Sequence, residues 1–228
     1  MAQPTGKGSK GTRWRDTRPA QYGRIENEKR LCNAKGCMRH RSCLSGYCTT
    51  HHARDVRWGH PEGRPIKPKQ YETETKQVTE IVKRNPTHPG IRRGIQFFND
   101  WVSKAEKTIT APGMKGVVPA CEILIHLKDR GVTGRDMFIR AASIWLHLDR
   151  YPAAVPGDRA FRFALADAVF KLASRLNARN PKSSDLNRSG MYIQQNLIIL
   201  FANIKITIEK RLQEQQKARS EMMTPLEL

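Results

Sequence analysis

From residue 70 onward, apolar residues recur mainly at intervals of three and four, and no convincing strand-like alternation interrupts them before the polar end of the last predicted helix. This spacing puts the apolar side chains of each segment on one helical face, and such faces are buried by packing against other helices. The region is long enough to form a hydrophobic core of its own. The sequence therefore predicts a mainly α protein in which residues 70–218 form an all-α helical bundle.

Capping and helix-breaking residues divide this region into six predicted helices. Asn85-Pro86 ends the first helix, and Thr133 followed three residues later by Asp136 resembles a capping box. Gly131, just before that box, suits the end of the preceding helix. The last helix starts with nearly continuous apolar sequence, which predicts a central position. The predicted helices span about 70–84, 89–107, 117–129, 134–150, 158–178 and 188–218, and residues 219–228 form a tail.

A cysteine-rich and histidine-rich segment over residues 31–66 precedes the bundle and predicts a compact metal-binding module. It contains two short-spaced pairs of metal-ligand residues, one of the form Cys-x4-Cys and one of the form Cys-x2-His, joined by ten residues. Two such pairs can supply the two edges of a tetrahedral Zn²⁺ site. The predicted ligands are Cys32, Cys37, Cys48 and His51. Cys43 lies within the same segment, and a four-cysteine set that includes it is the alternative.

The predicted cellular compartment favours metal over disulfides. The N-terminus has no apolar signal-like stretch, and the longest apolar run, residues 197–202, is too short to cross a membrane. We therefore expect a cytoplasmic protein without a membrane partner, in which clustered cysteines bind metal rather than pair as disulfides. Cys121, alone on an apolar helical face, is predicted to be a core thiol.

The predicted module resembles a known family. Its pattern of Cys-x4-Cys, a short loop, Gly-x-Cys-x2-His, arginine and Gly-His-Pro is similar to the small zinc-finger-like module of phage and mobile-element proteins, often HNH or homing endonucleases. The four predicted ligands match the metal ligands of that family, while Cys43, Tyr47 and His52 depart from its pattern. The resemblance implies zinc and association with DNA. It covers only residues 31–66, so it implies no reaction.

The net charge indicates a polyanionic partner. The chain has 41 Lys and Arg against 21 Asp and Glu, a formal charge of +20. Residues 1–70 hold 16 of these cations and 5 of these acids, so +11 falls in this third. Phosphate neutralisation by such cations releases counterions and drives binding to nucleic acid. We expect DNA rather than RNA as the partner, with residues 1–30 forming a flexible basic arm.

Three groups of residues are predicted to contact nucleic acid: the arm, the module and a basic stripe on the fifth helix. They are Arg13, Trp14, Arg15 and Arg18 in the arm, Arg39, Arg41, Arg54, Arg57 and Trp58 in the module, and Lys171, Arg175 and Arg179 in the stripe. Each group also has a structural interpretation. Trp14 could pin the arm, zinc could only hold the module together, and the stripe could only favour the helix dipole.

No catalytic signature is evident in the sequence. An HNH nuclease needs paired His and Asn residues, but His88, His126 and His147 each stand alone after the module, and the carboxylates are dispersed. The sequence favours a non-catalytic, zinc-dependent DNA-binding protein of phage or mobile-element type. The alternatives are a factor that docks on a host or phage protein through its helical domain, and an HNH-type endonuclease with unrecognised catalytic residues.

Overall fold

The computed structural model describes residues 18–42, 44–111, 119–172 and 181–223. Within these ranges the regular structure is helical, and the one extended pairing is an isolated bridge between Leu31 and His40. The predicted mainly α class is confirmed. The chain divides into two compact units, a smaller one over Met1–His52 and a larger one over Ala53–Leu228.

The described residues contain eight α-helices. They are α1 (Arg18–Glu28), α2 (Thr49–Trp58), α3 (Glu72–Arg84), α4 (Pro89–Thr110), α5 (Pro119–Asp129), α6 (Gly134–Arg150), α7 (Asp158–Phe170) and α8 (Ser183–Met223). Short 3₁₀ turns at Pro68–Tyr71 and Pro152–Ala154 precede α3 and α7. No helix in the described ranges is both long and apolar enough to span a bilayer.

The predicted capping box starts α6 as expected. The Thr133 hydroxyl accepts a hydrogen bond from the Asp136 N–H at 3.2 Å, and the Asp136 carboxylate accepts one from the Thr133 N–H at 2.9 Å. The pair satisfies two N–H groups that the first turn of a helix leaves without partners. Gly131 has a φ of +76°, the left-handed conformation that ends a helix most easily with glycine.

The core of the larger unit forms around α8, which contacts α3, α4, α5, α6 and α7. Four fully buried phenylalanines, one each from α4, α6, α7 and α8, lie in one continuous apolar cluster. They are Phe98, Phe138, Phe163 and Phe201. Burial of each such ring contributes roughly 2–3 kcal/mol to folding. The predicted central position of the last helix agrees with this packing.

Three helix bounds differ from the predicted ones by five residues or more, and one of them is the end of the last helix, which continues to Met223, so that residues 219–223 of the predicted tail are helical. The fifth predicted helix ends at Phe170 rather than near residue 178, because the Leu172 N–H bonds back to the Val169 carbonyl in a tight turn. Residues 173–180 lie outside the described ranges. The last helix begins at Ser183 rather than near residue 188. The Asp185 carboxylate accepts a hydrogen bond from the Lys182 N–H at 3.1 Å, and so satisfies the N–H of the residue that precedes α8.

The prediction of an irregular arm over residues 1–30 is wrong for Arg18–Glu28, which form α1. This helix lacks apolar periodicity, so the pattern that identifies the bundle helices does not reveal it. Charged pairs one turn apart stabilise it instead, with Arg24 and Glu28 at 3.0 Å. Residues 1–17 of the predicted arm are not among the described residues.

The boundary between the two compact units falls within α2, earlier than the predicted end of the module at residue 66. The segment after α2 belongs with the larger unit because it packs on that unit. Ile66 contacts the main core, and the Gly59 backbone approaches the Ala160 backbone so closely that a Cβ would lie at 3.1 Å. Gly59 also has a φ of +75°, which favours glycine.

A close helix crossing provides a test of this packing. A Cβ on Gly190 of α8 would collide with the Arg162 carbonyl of α7. We expect Gly190→Ala to destabilise the protein by about 1–3 kcal/mol, although alanine is the better helix former. Chemical denaturation measures the change. Gln195→Ala, on an exposed position of α8, is the control and should change stability by no more than about 0.5 kcal/mol; equal stability of the two variants would contradict this close crossing.

Candidate metal centre

Four side chains of the smaller unit converge at one point. One ligand atom from each of Cys32, Cys37, Cys48 and His51 lies within 4.8 Å of all the others. The His51 Nδ1 atom is 3.4 Å from the Cys32 sulfur and 3.5 Å from the Cys48 sulfur, and the Cys37 and Cys48 sulfurs are 4.0 Å apart. A tetrahedral zinc site has edges of about 3.6–3.8 Å, given its usual bond lengths. The predicted ligand set therefore comes together with the spacing that a metal ion requires.

Local backbone structure explains the position of each ligand. Cys32 and Cys37 flank a tight turn, in which the Cys37 N–H bonds to the Ala34 carbonyl at 3.1 Å and Gly36 has a φ of +69°. Cys48 directly precedes α2, and His51 lies in its first turn. The Cys48 N–H donates to the Cys32 sulfur at 3.2 Å, which joins the two ligand pairs.

Hydrogen bonds from Arg39 favour the thiolate form of Cys37. The backbone N–H of Arg39 is the largest cause that lowers the pKa of Cys37, to about 7, and the Arg39 guanidinium adds to it. The same contact raises the pKa of Arg39. The Arg39 side chain also donates to the Thr50 hydroxyl at 2.8 Å. Because thiolates bind metal and thiols do not, this arrangement prepares the centre for a cation.

Arg41, predicted to contact nucleic acid, is engaged inside the smaller unit. Its guanidinium donates to the Leu31 carbonyl at 2.9 Å, the Asn27 side chain at 3.2 Å and the Asn33 side chain at 2.5 Å. These bonds connect the end of α1 to the loop that carries the first cysteine pair. The structure therefore gives Arg41 a supporting role behind the ligands. Spacing rules do not identify Asn27 and Asn33, because no motif connects them to the ligands. They take part in the site because their side-chain oxygens accept hydrogen bonds from Arg41.

Three other predicted contact residues meet in the larger unit. The Arg57 guanidinium lies 5.0 Å from the centroid of the Trp58 ring, and the Lys171 ammonium lies 5.2 Å from the same centroid. Lys171 also pairs with Asp167 at 2.5 Å. Sequence alone could not bring Lys171 to Trp58, because more than a hundred residues separate them.

The remaining predicted site residues have less or no described structure. Arg54 is half-buried on α2, and Arg18 begins α1 without a described side chain. The predicted residues outside the described ranges are Arg13, Trp14, Arg15, Cys43, Arg175 and Arg179. Cys121, predicted to be a core thiol, is half-buried against the main core, and burial is the main cause that raises the pKa of its thiol.

Within the described ranges, these four residues are the one group of three or more His, Cys, Asp or Glu side chains that lie close enough together to hold a metal ion. Comparisons with protein-family models, curated proteins and solved structures find no match.

The supporting role of Arg41 can be measured through metal affinity. We expect Arg41→Gln to weaken metal binding by roughly 10–100-fold, because outer-shell partners orient the ligands. Competition against a chromophoric chelator measures the change. Lys35→Gln removes the same charge from an exposed residue of the same loop and should leave metal affinity nearly unchanged. Equal losses in the two variants would show that only net charge matters.

Proposed function

We propose that this chain is a zinc-dependent nucleic-acid-binding protein whose ligand is DNA, acting without catalysis. The observation that most directly supports this proposal is the convergence of three cysteines and one histidine inside the most basic third of the chain. Sulfur and imidazole ligands with tetrahedral spacing match the preference of Zn²⁺ better than that of Mg²⁺ or Ca²⁺. Cysteines must stay reduced to bind a metal ion, so we assign this function to the cytoplasm.

The need of the smaller unit for a metal follows from its core. Its buried apolar cluster consists of Cys32, Ala34 and Cys48, with Cys37 and Tyr47 packed against it. Such a cluster supplies little hydrophobic free energy, whereas structural zinc contributes about 10–16 kcal/mol in small finger peptides. Zinc would therefore hold this loop structure, and with it the orientation of the basic side chains that it carries.

Charge and resemblance support DNA as the ligand. Lys35 and Arg39 are exposed beside the metal ligands, where they can neutralise phosphates. The similarity of residues 31–66 to the zinc module of phage and mobile-element proteins favours DNA over RNA. Arg54 and Arg57 follow His51 on α2 and add two guanidinium groups to this basic stretch of the chain.

The test is titration of a labelled mixed-sequence duplex by fluorescence anisotropy over a range of salt concentrations. We expect log affinity to fall linearly with log salt, by about 0.9 for each phosphate contacted. Cys48→Ser, which removes one ligand, should lower DNA affinity at least tenfold because the metal-held loops lose their structure. Cys121→Ser, a thiol outside the cluster, is the matched control. Weak binding that is independent of salt would contradict the proposal, and tighter binding to an RNA of equal length would reassign the ligand.

A second candidate function, docking on a protein through the larger unit, has one observation in its favour. Ile199 and Ile206 lie seven residues apart on one side of α8 and are 76% and 49% exposed. Affinity capture from cell lysate, with and without nuclease, separates the two functions. A protein retained after nuclease treatment and lost with Ile199→Lys/Ile206→Lys would support docking. Loss of all retained proteins on nuclease treatment would support the nucleic-acid function.

A further inference from the structure

The larger unit has an open cleft with a basic lining. Its volume is about 880 Å³, and its cations are Arg54 from α2 together with Arg64 and Lys67 from the segment before α3. Glu62 is the single carboxylate that lines it. The turn that contains Ala153, Ala154 and Pro156 also lines the cleft, which therefore combines apolar residues with three positive side chains.

These three cations lack an ion-pair partner among the described residues, unlike several others of the larger unit. Elsewhere, Asp149 pairs with Lys205 at 2.8 Å and Asp55 pairs with Arg159 at 3.4 Å. Those two acids are therefore committed to other cations, and within the cleft Glu62 offsets one of the three charges. Uncompensated charge in a concave surface attracts anions, because low-dielectric walls focus its field.

A smaller cavity beside the cleft extends the positive surface. It has a volume of about 70 Å³ and shares Arg64 with the cleft. Its lining adds Lys171 and Arg140, and the Arg140 guanidinium donates to the Tyr71 hydroxyl at 2.9 Å. Asp167 lines the same cavity but pairs with Lys171. Arg64 therefore lines both the cleft and the smaller cavity.

The surroundings of Trp58, which lines the smaller cavity, indicate which part of a ligand is recognised. Arg57 and Lys171 both lie within about 5 Å of the ring centroid, so the ring already interacts with two cations of the protein. Trp58 therefore holds cations in place rather than bases. Recognition in this region would be of charge along a backbone, and thus independent of base sequence.

We propose that this cleft binds the phosphodiester backbone of nucleic acid, with Arg54, Arg64 and Lys67 contacting phosphates. Its volume greatly exceeds that of a single small anion, and its three cations can contact more than one phosphate of the same strand. The inference rests on the proposed nucleic-acid function, but it assigns contacts to the larger unit that do not involve the metal ligands.

The test compares two charge-matched variants of the full zinc-loaded chain. Arg54→Gln/Arg64→Gln/Lys67→Gln removes the cleft cations, and Lys83→Gln/Arg92→Gln/Arg93→Gln removes three exposed cations on α3 and α4 that do not line the cleft. The probe is a mixed-sequence duplex, titrated by anisotropy at several salt concentrations. The cleft variant should lose roughly a hundredfold in affinity at low salt, and its salt slope should shrink by about 2.7. The control variant should change that slope by less than about one.

Single variants keep the test valid if the triple variant does not fold. Arg54→Gln and Lys67→Gln should each reduce the slope by about 0.9 and leave the thermal unfolding midpoint unchanged. Equal losses in the cleft and control variants would overturn the inference while leaving the proposed function intact. Polyglutamate that competes as well as DNA at equal charge would assign the cleft to acidic peptides and overturn it also. Failure of the unmodified chain to bind DNA would instead refute the proposed function, and the cleft inference with it.

Discussion

The packing of α8 is the interaction on which the larger unit depends. This 41-residue helix contacts the other five long helices of that unit and contributes Phe201, Ile193 and Leu197 to the core. At Gly190 the helix approaches the α7 backbone so closely that no side chain fits between them. Only 38% of the residues are hydrophobic, and the chain has a charge of +20. Packing the apolar side chains of the larger unit around one helix nevertheless gives a continuous core.

The smaller unit cannot be stabilised by a large hydrophobic core, because its buried apolar cluster contains only a few small or sulfur-bearing residues. Hydrogen bonds to backbone and amide carbonyls, most of them from Arg41, replace hydrophobic contacts there. Three thiols and an imidazole within 4.8 Å of one another add a potential cross-link between residues distant in sequence. The two units therefore differ in the physical basis of their stability: burial in one, polar bonding and ligation in the other.

Sequence patterns predicted those features that depend on regular spacing. The helices from α3 to α6, the Thr133 box and the four converging ligands all follow from residue intervals, and the structure has them. Features without an apolar spacing, and those that depend on tertiary contacts, were beyond such patterns. Helix α1 is stabilised by ion pairs without an apolar stripe, Arg41 contacts residues that no motif connects, and Lys171 reaches Trp58 only after the bundle has folded.

The fork of hydrogen bonds from Arg41 also has a consequence for evolution. The loop of the first cysteine pair is positioned by Asn27, Asn33 and Arg41 together. A substitution at any one of them would therefore change the positions of the metal ligands. Selection on the cluster would then extend to these three positions, and drift would be freest at exposed ones such as Met38 and Leu44. Distant relatives would share this wider signature of ligands, two asparagines and an arginine, even where their helical regions had diverged.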